Sequence, residues 1–263
     1  MSNDEEIQET TVGSIPVVYV TPSAETTTRR LALWLPFLGG DKDSAAPFLR
    51  RLSRAGLTAV SFDPWQHGAR TVEPTPDLMN RVFGHFRRDM WPILGQTTLD
   101  ALHVLDWATA AFDVEHEDIV AGGVSMGGDV SVALAGTDRR ISRVAAIVAT
   151  PDWTRPGMTR VGEPDSVIDQ GEPSSYGAWL YKHLDPITNQ GAYRRGPAIA
   201  FELGRNDTHV PPAAALAFRD QLRSSAPDAA DRMRITLHDG LDHLPAARDP
   251  QMQDAALAWL TAP

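Results

Sequence analysis

Continuous apolar runs alternate with helical patterns along most of the chain, and this alternation is the feature that most restricts the fold. Runs that are apolar throughout predict strands buried on both faces of a sheet. The predicted strands are residues 31–35, 57–62, 119–122, 144–149, 197–203 and 233–238. Helical crossovers between them predict a mostly parallel central sheet with helices on both faces. The earlier run at residues 15–20 predicts an antiparallel opening piece.

Start and stop signals give the expected helix boundaries. Asp43 or Ser44 could cap a helix that closes at Gly56, and Thr97 with Asp100 resembles a capping box that opens a helix before residue 119. A further helix is expected after residue 212, and the last helix near residue 250.

Two long stretches interrupt the alternation of strand and helix patterns. Residues 71–96 and 151–193 carry aromatic and methionine side chains but no strand pattern. Segments of this length inside a compact domain are usually functional or form helices of their own. Because neither composition nor charge marks a second domain, we expect one domain over residues 1–263, with residues 151–193 as a helical or irregular cap insertion.

Charge and composition exclude several classes of partner. The 263 residues include 24 basic and 34 acidic side chains, a net charge of −10, which argues against nucleic acid or an anionic membrane as the main partner. The start MSNDEEIQET lacks the apolar core of a signal peptide, and no run is long enough to span a bilayer, so the expectation is a cytoplasmic protein. The oligomeric state stays open, a homo-oligomer included.

Metal and thiol chemistry find no support in the sequence. Cysteine is absent, which excludes disulfides, thiolate metal sites and a cysteine nucleophile. No metal-ligand spacing such as HExxH occurs, and no lysine with serine or threonine follows the glycine-rich segments as a phosphate-binding loop requires. We therefore expect neither a metal nor a cofactor.

The pentapeptide Gly123-Val124-Ser125-Met126-Gly127 fits G-x-S-x-G and lies between a predicted strand and a predicted helix. In that context the serine occupies a sharp turn, and the N-terminal dipole of the helix favours developing negative charge. The alternative is a glycine-rich tight turn with a solvated serine. The strand and helix on either side favour a nucleophile.

A serine nucleophile needs a base that takes its proton and an acid that orients the base. Asp207 follows the strand at residues 197–203, and His243 follows the strand at residues 233–238. Both loops leave the same edge of the sheet as Ser125, in the chain order Ser, Asp, His. Asp239 and Asp242 are weaker candidates for the acid, because they crowd the histidine motif.

Together these motifs resemble the α/β-hydrolase superfamily, in the branch of small serine esterases similar to dienelactone hydrolase. The resemblance rests on GVSMG, GRNDTHVP and GLDHLP and covers nearly the whole chain. It implies an oxyanion hole formed by backbone N–H groups, here those of Leu38 and Met126. The usual His-Gly of the first loop is replaced by Pro36-Phe37.

A second motif, DPWQHGAR at residues 63–70, is similar to the D-x-x-x-H-G-x-R turn of this branch. Its histidine and arginine either contact the substrate or fix the loops around the oxyanion hole, and the second reading is favoured. The aromatic residues of the two long stretches could line an apolar pocket or only pack the insertions. The candidate substrate-binding residues are Phe37, His67, Arg70, Trp91, Trp153 and Trp179.

The function expected from these residues is hydrolysis of a small-molecule carboxylic ester through an acyl-enzyme. Thioesterase, lactonase, amidase, acyltransferase and C–C hydrolase activities remain alternatives, because one fold hosts all of them. A ligand-binding protein without catalysis is a further alternative, against which the complete set Ser125, Asp207 and His243 argues.

Overall fold

An eight-stranded sheet forms the centre of the molecule in the computed structural model, which describes residues 6–115 and 117–262. The strands are β1 (Gln8–Val12), β2 (Ile15–Val20), β3 (Arg30–Leu35), β4 (Leu57–Phe62), β5 (Ile119–Val124), β6 (Ile141–Ile147), β7 (Thr159–Arg160), β8 (Glu163–Val167), β9 (Ala198–Gly204) and β10 (Met233–His238). The sheet order is β1-β2-β4-β3-β5-β6-β9-β10, and β7 pairs with β8 in a separate hairpin. In this sheet order, each neighbouring pair in the series β4-β3-β5-β6-β9-β10 is parallel, whereas the pairs β1–β2 and β2–β4 are antiparallel. Both the mostly parallel sheet and its antiparallel opening are confirmed.

Helices cover both faces of this sheet. They are α1 (Ala46–Arg54), α2 (Thr75–Gly84), α3 (Phe86–Ala111), α4 (Met126–Thr137), α5 (Ser175–Leu184), α6 (Ala213–Ser225), α7 (Pro227–Asp231), α8 (His243–Arg248) and α9 (Pro250–Thr261). The apolar side chains of α1 and α9 pack on one face, and those of α3, α4 and α6 pack on the other. Strands β4 and β5 are buried at every residue, which explains why β5 is apolar throughout and β4 is apolar apart from Thr58 and Ser61.

Two predicted helix starts are wrong. Helix α3 runs without a break from Phe86 to Ala111, so Thr97 and Asp100 lie inside it. Their side chains serve tertiary contacts instead: the Thr97 hydroxyl accepts the backbone N–H of Trp65 (3.1 Å), and Asp100 pairs with Arg70. Before α1, the N-cap is Asp41, which caps a 3₁₀ turn at Lys42–Ala45 and exchanges hydrogen bonds with Ser44.

Residues 151–193 contain the β7–β8 hairpin, helix α5 and most of a 3₁₀ turn at Gln190–Arg195. Helix α5 lies against α3, and the contact is close enough that a Cβ on Gly95 would lie 2.7 Å from the Leu180 Cβ. Residues 71–96 form α2 and the first part of α3. Among the described residues, no helix combines the length and the apolar character needed to cross a membrane.

Candidate active site

Ser125 occupies the turn between β5 and α4 with φ 52° and ψ −117°, a backbone conformation that residues other than glycine rarely adopt. Its N–H donates to the Ile147 carbonyl (2.8 Å), and its carbonyl accepts from the Asp129 N–H (3.0 Å). The neighbouring glycines permit this turn, because a Cβ on Gly127 would lie 2.6 Å from the Pro36 carbonyl oxygen. The sharp turn holds the Ser125 side chain at the carboxyl end of the sheet.

Ser125, His243 and Asp207 form a continuous chain of hydrogen bonds. The Ser125 Oγ lies 3.3 Å from the His243 Nε2, and the His243 Nδ1 lies 2.7 Å from the Asp207 Oδ2. The second carboxylate oxygen of Asp207 accepts the backbone N–H groups of His209 (2.9 Å) and Val210 (2.7 Å). Asp207 and His243 are both buried. Such an arrangement fixes the imidazole with its Nε2 towards the hydroxyl, which is the geometry of a general base.

The chain brings these residues together through contacts between two loops. The loop after β9 carries Asp207, and α8 begins at His243, just after β10. The Asn206 N–H donates to the Leu241 carbonyl (3.0 Å), and a Cβ on Gly204 would lie 3.2 Å from the Ala246 Cβ. This close approach places the start of α8 beside the acid loop.

The two alternative acids have other partners. The Asp242 carboxylate accepts the backbone N–H of His243 (2.7 Å) as the N-cap of α8. Asp239 forms an exposed ion pair with Arg205. Of the three candidates, Asp207 is the one whose carboxylate contacts the His243 ring.

The loop after β3 passes directly over the start of α4. Leu38 lines the cavity beside Ser125, and the Phe37 carbonyl accepts the Gly40 N–H (2.9 Å). Met126 is the buried first residue of α4. Leu38 and Ser125 therefore line the same cavity, and Met126 directly follows Ser125 in the chain.

The motif at residues 63–70 locks loops together. The Asp63 carboxylate accepts the N–H groups of Lys42 (2.9 Å) and Ala69 (2.8 Å). The Arg70 guanidinium donates to Asp100 (2.7 Å), while the Nδ1 of the buried His67 lies 2.8 Å from the Trp65 carbonyl oxygen. Burial lowers the pKa of His67.

A cavity of about 270 Å³ opens beside Ser125. Phe37 lines it, as do Met79, Phe83 and Met90 of the stretch 71–96. The stretch 151–193 contributes Arg155 and Val161. The other lining residues are Trp34, Leu35, Pro36, Leu38, Ser44, Ala45, Phe48, Val124, His209, His243, Leu244, Ala247, Arg248 and Gln253. The walls are mostly apolar, as in most small-molecule sites.

Five of the six candidate substrate-binding residues do not line this cavity. They are His67, Arg70, Trp91, Trp153 and Trp179. Trp91 is buried, stacks on Tyr181 with ring centroids 4.2 Å apart and donates from Nε1 to the Trp153 carbonyl (3.0 Å). Trp153 is fully buried, whereas Trp179 is 54% exposed. The Trp91 and Trp153 side chains are instead buried where residues 151–193 pack against α3, so neither reaches the cavity.

Three polar residues near the site, Asp129, Arg155 and His209, have no role assigned by the sequence analysis. Asp129 lies one turn after Ser125 on α4 and forms a buried ion pair with Arg155. Its other carboxylate oxygen accepts the Thr150 N–H (2.7 Å). His209 lines the cavity, with ring centroids 4.9 Å from His243. The spacing of four between Ser125 and Asp129 is a weak sequence signal, and nothing in the sequence pairs Asp129 with Arg155.

Comparisons with known proteins agree with the fold. The chain is similar to TT1662 from Thermus thermophilus (TM-score 0.75, 21% identity, 98% of this chain and 99% of that chain). It is also similar to a Klebsiella pneumoniae protein described as a dienelactone hydrolase (TM-score 0.67, 16%, 98% and 99%). An acylaminoacyl peptidase from Pyrococcus horikoshii matches with a TM-score of 0.65 and 13% identity, over 95% of this chain and 40% of that one. No curated protein matches the sequence.

The acidic and histidine side chains of the described residues do not form a metal site. In residues 6–115 and 117–262, no three His, Asp or Glu side chains are grouped so as to bind a metal ion.

The sequence of residues 84–262, more than half of the chain, matches the prolyl oligopeptidase family. The α/β-hydrolase resemblance is confirmed. The chain belongs to the prolyl oligopeptidase family and is a hydrolase of the serine hydrolase superfamily.

Proposed function

We propose that this protein hydrolyses a small-molecule carboxylic ester, with Ser125 as the nucleophile, His243 as the general base and Asp207 as the acid that orients the histidine. The observation that carries the proposal is the continuous hydrogen-bond chain from Asp207 to Ser125, which ends at a cavity with mostly apolar walls.

In the first half of the reaction, the Ser125 hydroxyl attacks the ester carbonyl while the His243 Nε2 takes its proton. The Asp207 carboxylate accepts the Nδ1–H of His243 and stabilises the imidazolium that forms. The imidazolium then gives its proton to the departing alcohol, which leaves an acyl group on the Ser125 oxygen. In the second half, the His243 Nε2 takes a proton from water as the water attacks the acyl group, and the imidazolium then returns this proton to the Ser125 oxygen as the acid is released.

The backbone N–H groups of Leu38 and Met126 are proposed to bind the oxyanion of each tetrahedral intermediate. Both belong to segments that flank Ser125, and the Met126 N–H is at the N-terminus of α4, where the helix dipole favours negative charge. Preorganised donors of this kind each contribute on the order of 10²-fold or more to kcat.

The size and polarity of the cavity support an ester of moderate size over a long peptide. Its volume of about 270 Å³ is just below the usual range for small-molecule sites, roughly 300–1,000 Å³. The apolar lining suits an aliphatic or aromatic acyl chain. The family name refers to peptide hydrolysis, so cleavage of an amide bond is the competing outcome.

The test is a comparison of p-nitrophenyl esters of increasing acyl length with p-nitroanilides of the same acyl groups, beside thioesters and lactones. We expect kcat/KM to be highest for the esters. Ser125→Ala should remove the activity, and Ser224→Ala, an exposed serine on α6, should retain it. Faster cleavage of the anilides would assign an amidase, and hydrolysis retained by Ser125→Ala would refute the nucleophile.

Labelling by a fluorophosphonate separates the enzyme from a binding protein on the same scaffold. The probe reacts with an activated serine, so we expect a stable adduct on Ser125 in the wild type. A protein that binds esters but neither reacts with the probe nor turns esters over would be a ligand-binding protein.

A further inference from the structure

The mechanism leaves His209 without a role, although its ring lines the cavity. The ring lies between Phe83, at a centroid distance of 5.3 Å, and His243, at 4.9 Å, with edge contacts to both. The side chain is 4% exposed. Its backbone N–H donates to Asp207 (2.9 Å), so the position of the residue is tied to that of the proposed acid.

A fixed carbonyl determines the tautomer of His209. The Nδ1 lies 2.8 Å from the Thr159 carbonyl oxygen, which can only accept a hydrogen bond, so Nδ1 carries the hydrogen. Thr159 is itself held in place: its N–H donates to the Thr208 carbonyl (2.9 Å), and the two threonine hydroxyls are 2.7 Å apart. A neutral imidazole that is protonated at Nδ1 presents a lone pair at Nε2.

The surroundings keep this imidazole neutral. Burial lowers the pKa of His209 to about 3, and the nearby positive charge of Arg155 acts in the same direction. At neutral pH, Nε2 is therefore a hydrogen-bond acceptor. Among the described residues, the only hydrogen-bond partner of the ring is the Thr159 carbonyl at Nδ1, and Nε2 is not one of the fully buried side-chain atoms, so it is accessible from the cavity.

We propose that His209 is a substrate-binding residue whose Nε2 accepts a hydrogen bond from a neutral N–H or O–H group near the scissile carbonyl. The corresponding substrate class is esters that carry such a donor, for example hydroxyacyl or N-acylaminoacyl esters. This inference rests on the proposed ester hydrolysis at Ser125. A purely aliphatic ester that fills the cavity would cover this acceptor and leave it without a partner, which carries a free-energy penalty.

Matched pairs of esters test the proposal. For the acyl side, p-nitrophenyl lactate is compared with p-nitrophenyl O-methyl-lactate, which has a similar inductive effect but no donor. The N-acetylglycine and N-acetyl-N-methylglycine esters form the amide pair. For the alcohol side, the pair is the hydroxyethyl and methoxyethyl esters of butyrate. We expect the donor ester to be preferred in kcat/KM by about ten- to hundredfold in at least one of these pairs.

Variants of His209 connect that preference to the residue. His209→Phe keeps a ring against Phe83 and His243 but has no acceptor, so its donor preference should fall to about one. His209→Gln restores an acceptor and should recover part of the preference. His103→Phe replaces an exposed histidine on α3 and should keep the wild-type ratio.

The outcomes separate this inference from the proposed function. Ester hydrolysis with equal rates in every pair, or a preference that survives in His209→Phe and in His209→Gln to the same extent as in the wild type, would refute the role of His209 alone. Absence of both ester turnover and fluorophosphonate labelling in the wild type would refute the proposed function and this inference with it.

Discussion

Replacing Ser125 by glycine should leave a more stable protein than replacing it by alanine, although both changes remove the hydroxyl. The backbone at Ser125 has φ 52° and ψ −117°, which brings a Cβ into conflict with its own backbone. Such a conformation costs a residue other than glycine about 1–3 kcal/mol. Alanine keeps the Cβ and therefore the strain, whereas glycine removes both.

The expected difference follows from two opposing terms. Relief of strain contributes about 1–3 kcal/mol, and the larger chain entropy of unfolded glycine subtracts about 0.5–1 kcal/mol. With mid-range values of both terms, we expect Ser125→Gly to exceed Ser125→Ala by about 1 kcal/mol in the free energy of unfolding, measured by urea denaturation with equal m values.

Ser131 provides a matched control on the same helix. It is buried, lies inside α4 and donates from its hydroxyl to the Gly127 carbonyl (2.8 Å), so both of its variants lose the same hydrogen bond. Here glycine should be less stable than alanine by about 0.5–1 kcal/mol, the usual helix-interior penalty. If glycine were less stable than alanine at Ser125 by the same amount as at Ser131, the turn would store no strain.

Three further perturbations have outcomes that follow from the contacts. Asp207→Asn should lower kcat by on the order of 10⁴-fold, whereas Asp242→Asn should have a small effect because Asp242 caps α8; the reverse order in steady-state kinetics would move the acid to Asp242. Gly127→Ala should lower the free energy of unfolding by about 1–3 kcal/mol in thermal denaturation, because its Cβ would lie 2.6 Å from the Pro36 carbonyl oxygen. A variant as stable as the wild type would contradict that close approach. Burial raises the pKa of Asp185 from 3.8 to about 7, so the folded state binds a proton that the unfolded state has lost, and stability should fall as the pH rises through that interval. Relative to Asp185→Asn, the free energy of unfolding of the wild type should fall by roughly 2–3 kcal/mol between about pH 5 and about pH 8. Parallel curves of stability against pH for the two proteins would refute the raised pKa of Asp185.

The sheet could be predicted from the sequence because its central strands are buried on both faces. Burial on both sides removes the need for polar positions, so β5 is apolar throughout and β4 is apolar apart from Thr58 and Ser61. Helix α3 shows where this reasoning fails. The polar pattern at Thr97 and Asp100 is typical of a helix start, but these side chains bind Trp65 and Arg70 across the fold, and such tertiary partners leave no local signal.

The candidate site likewise has residues that the sequence identifies and residues that it does not. Ser125, Asp207 and His243 are identifiable because each follows a strand and parallel strands bring their carboxyl ends to one edge. The substrate-binding residues are not, because the sequence shows the size of an aromatic side chain but not the direction in which it points. Trp91 and Trp153 are large enough to line a pocket, yet both are buried where residues 151–193 pack against α3. Arg155 reaches the cavity from a loop whose path the sequence does not specify.

The central claim is that Ser125 is activated by His243 and Asp207, and peptide-level mass spectrometry after fluorophosphonate treatment tests it most directly. The wild type should carry one adduct, on the peptide that contains Ser125, and Ser125→Ala should carry none. Asp207→Asn should react much more slowly than the wild type, because the imidazole loses the anion that orients it. An adduct on another serine, or equal labelling rates in Asp207→Asn and the wild type, would contradict the account.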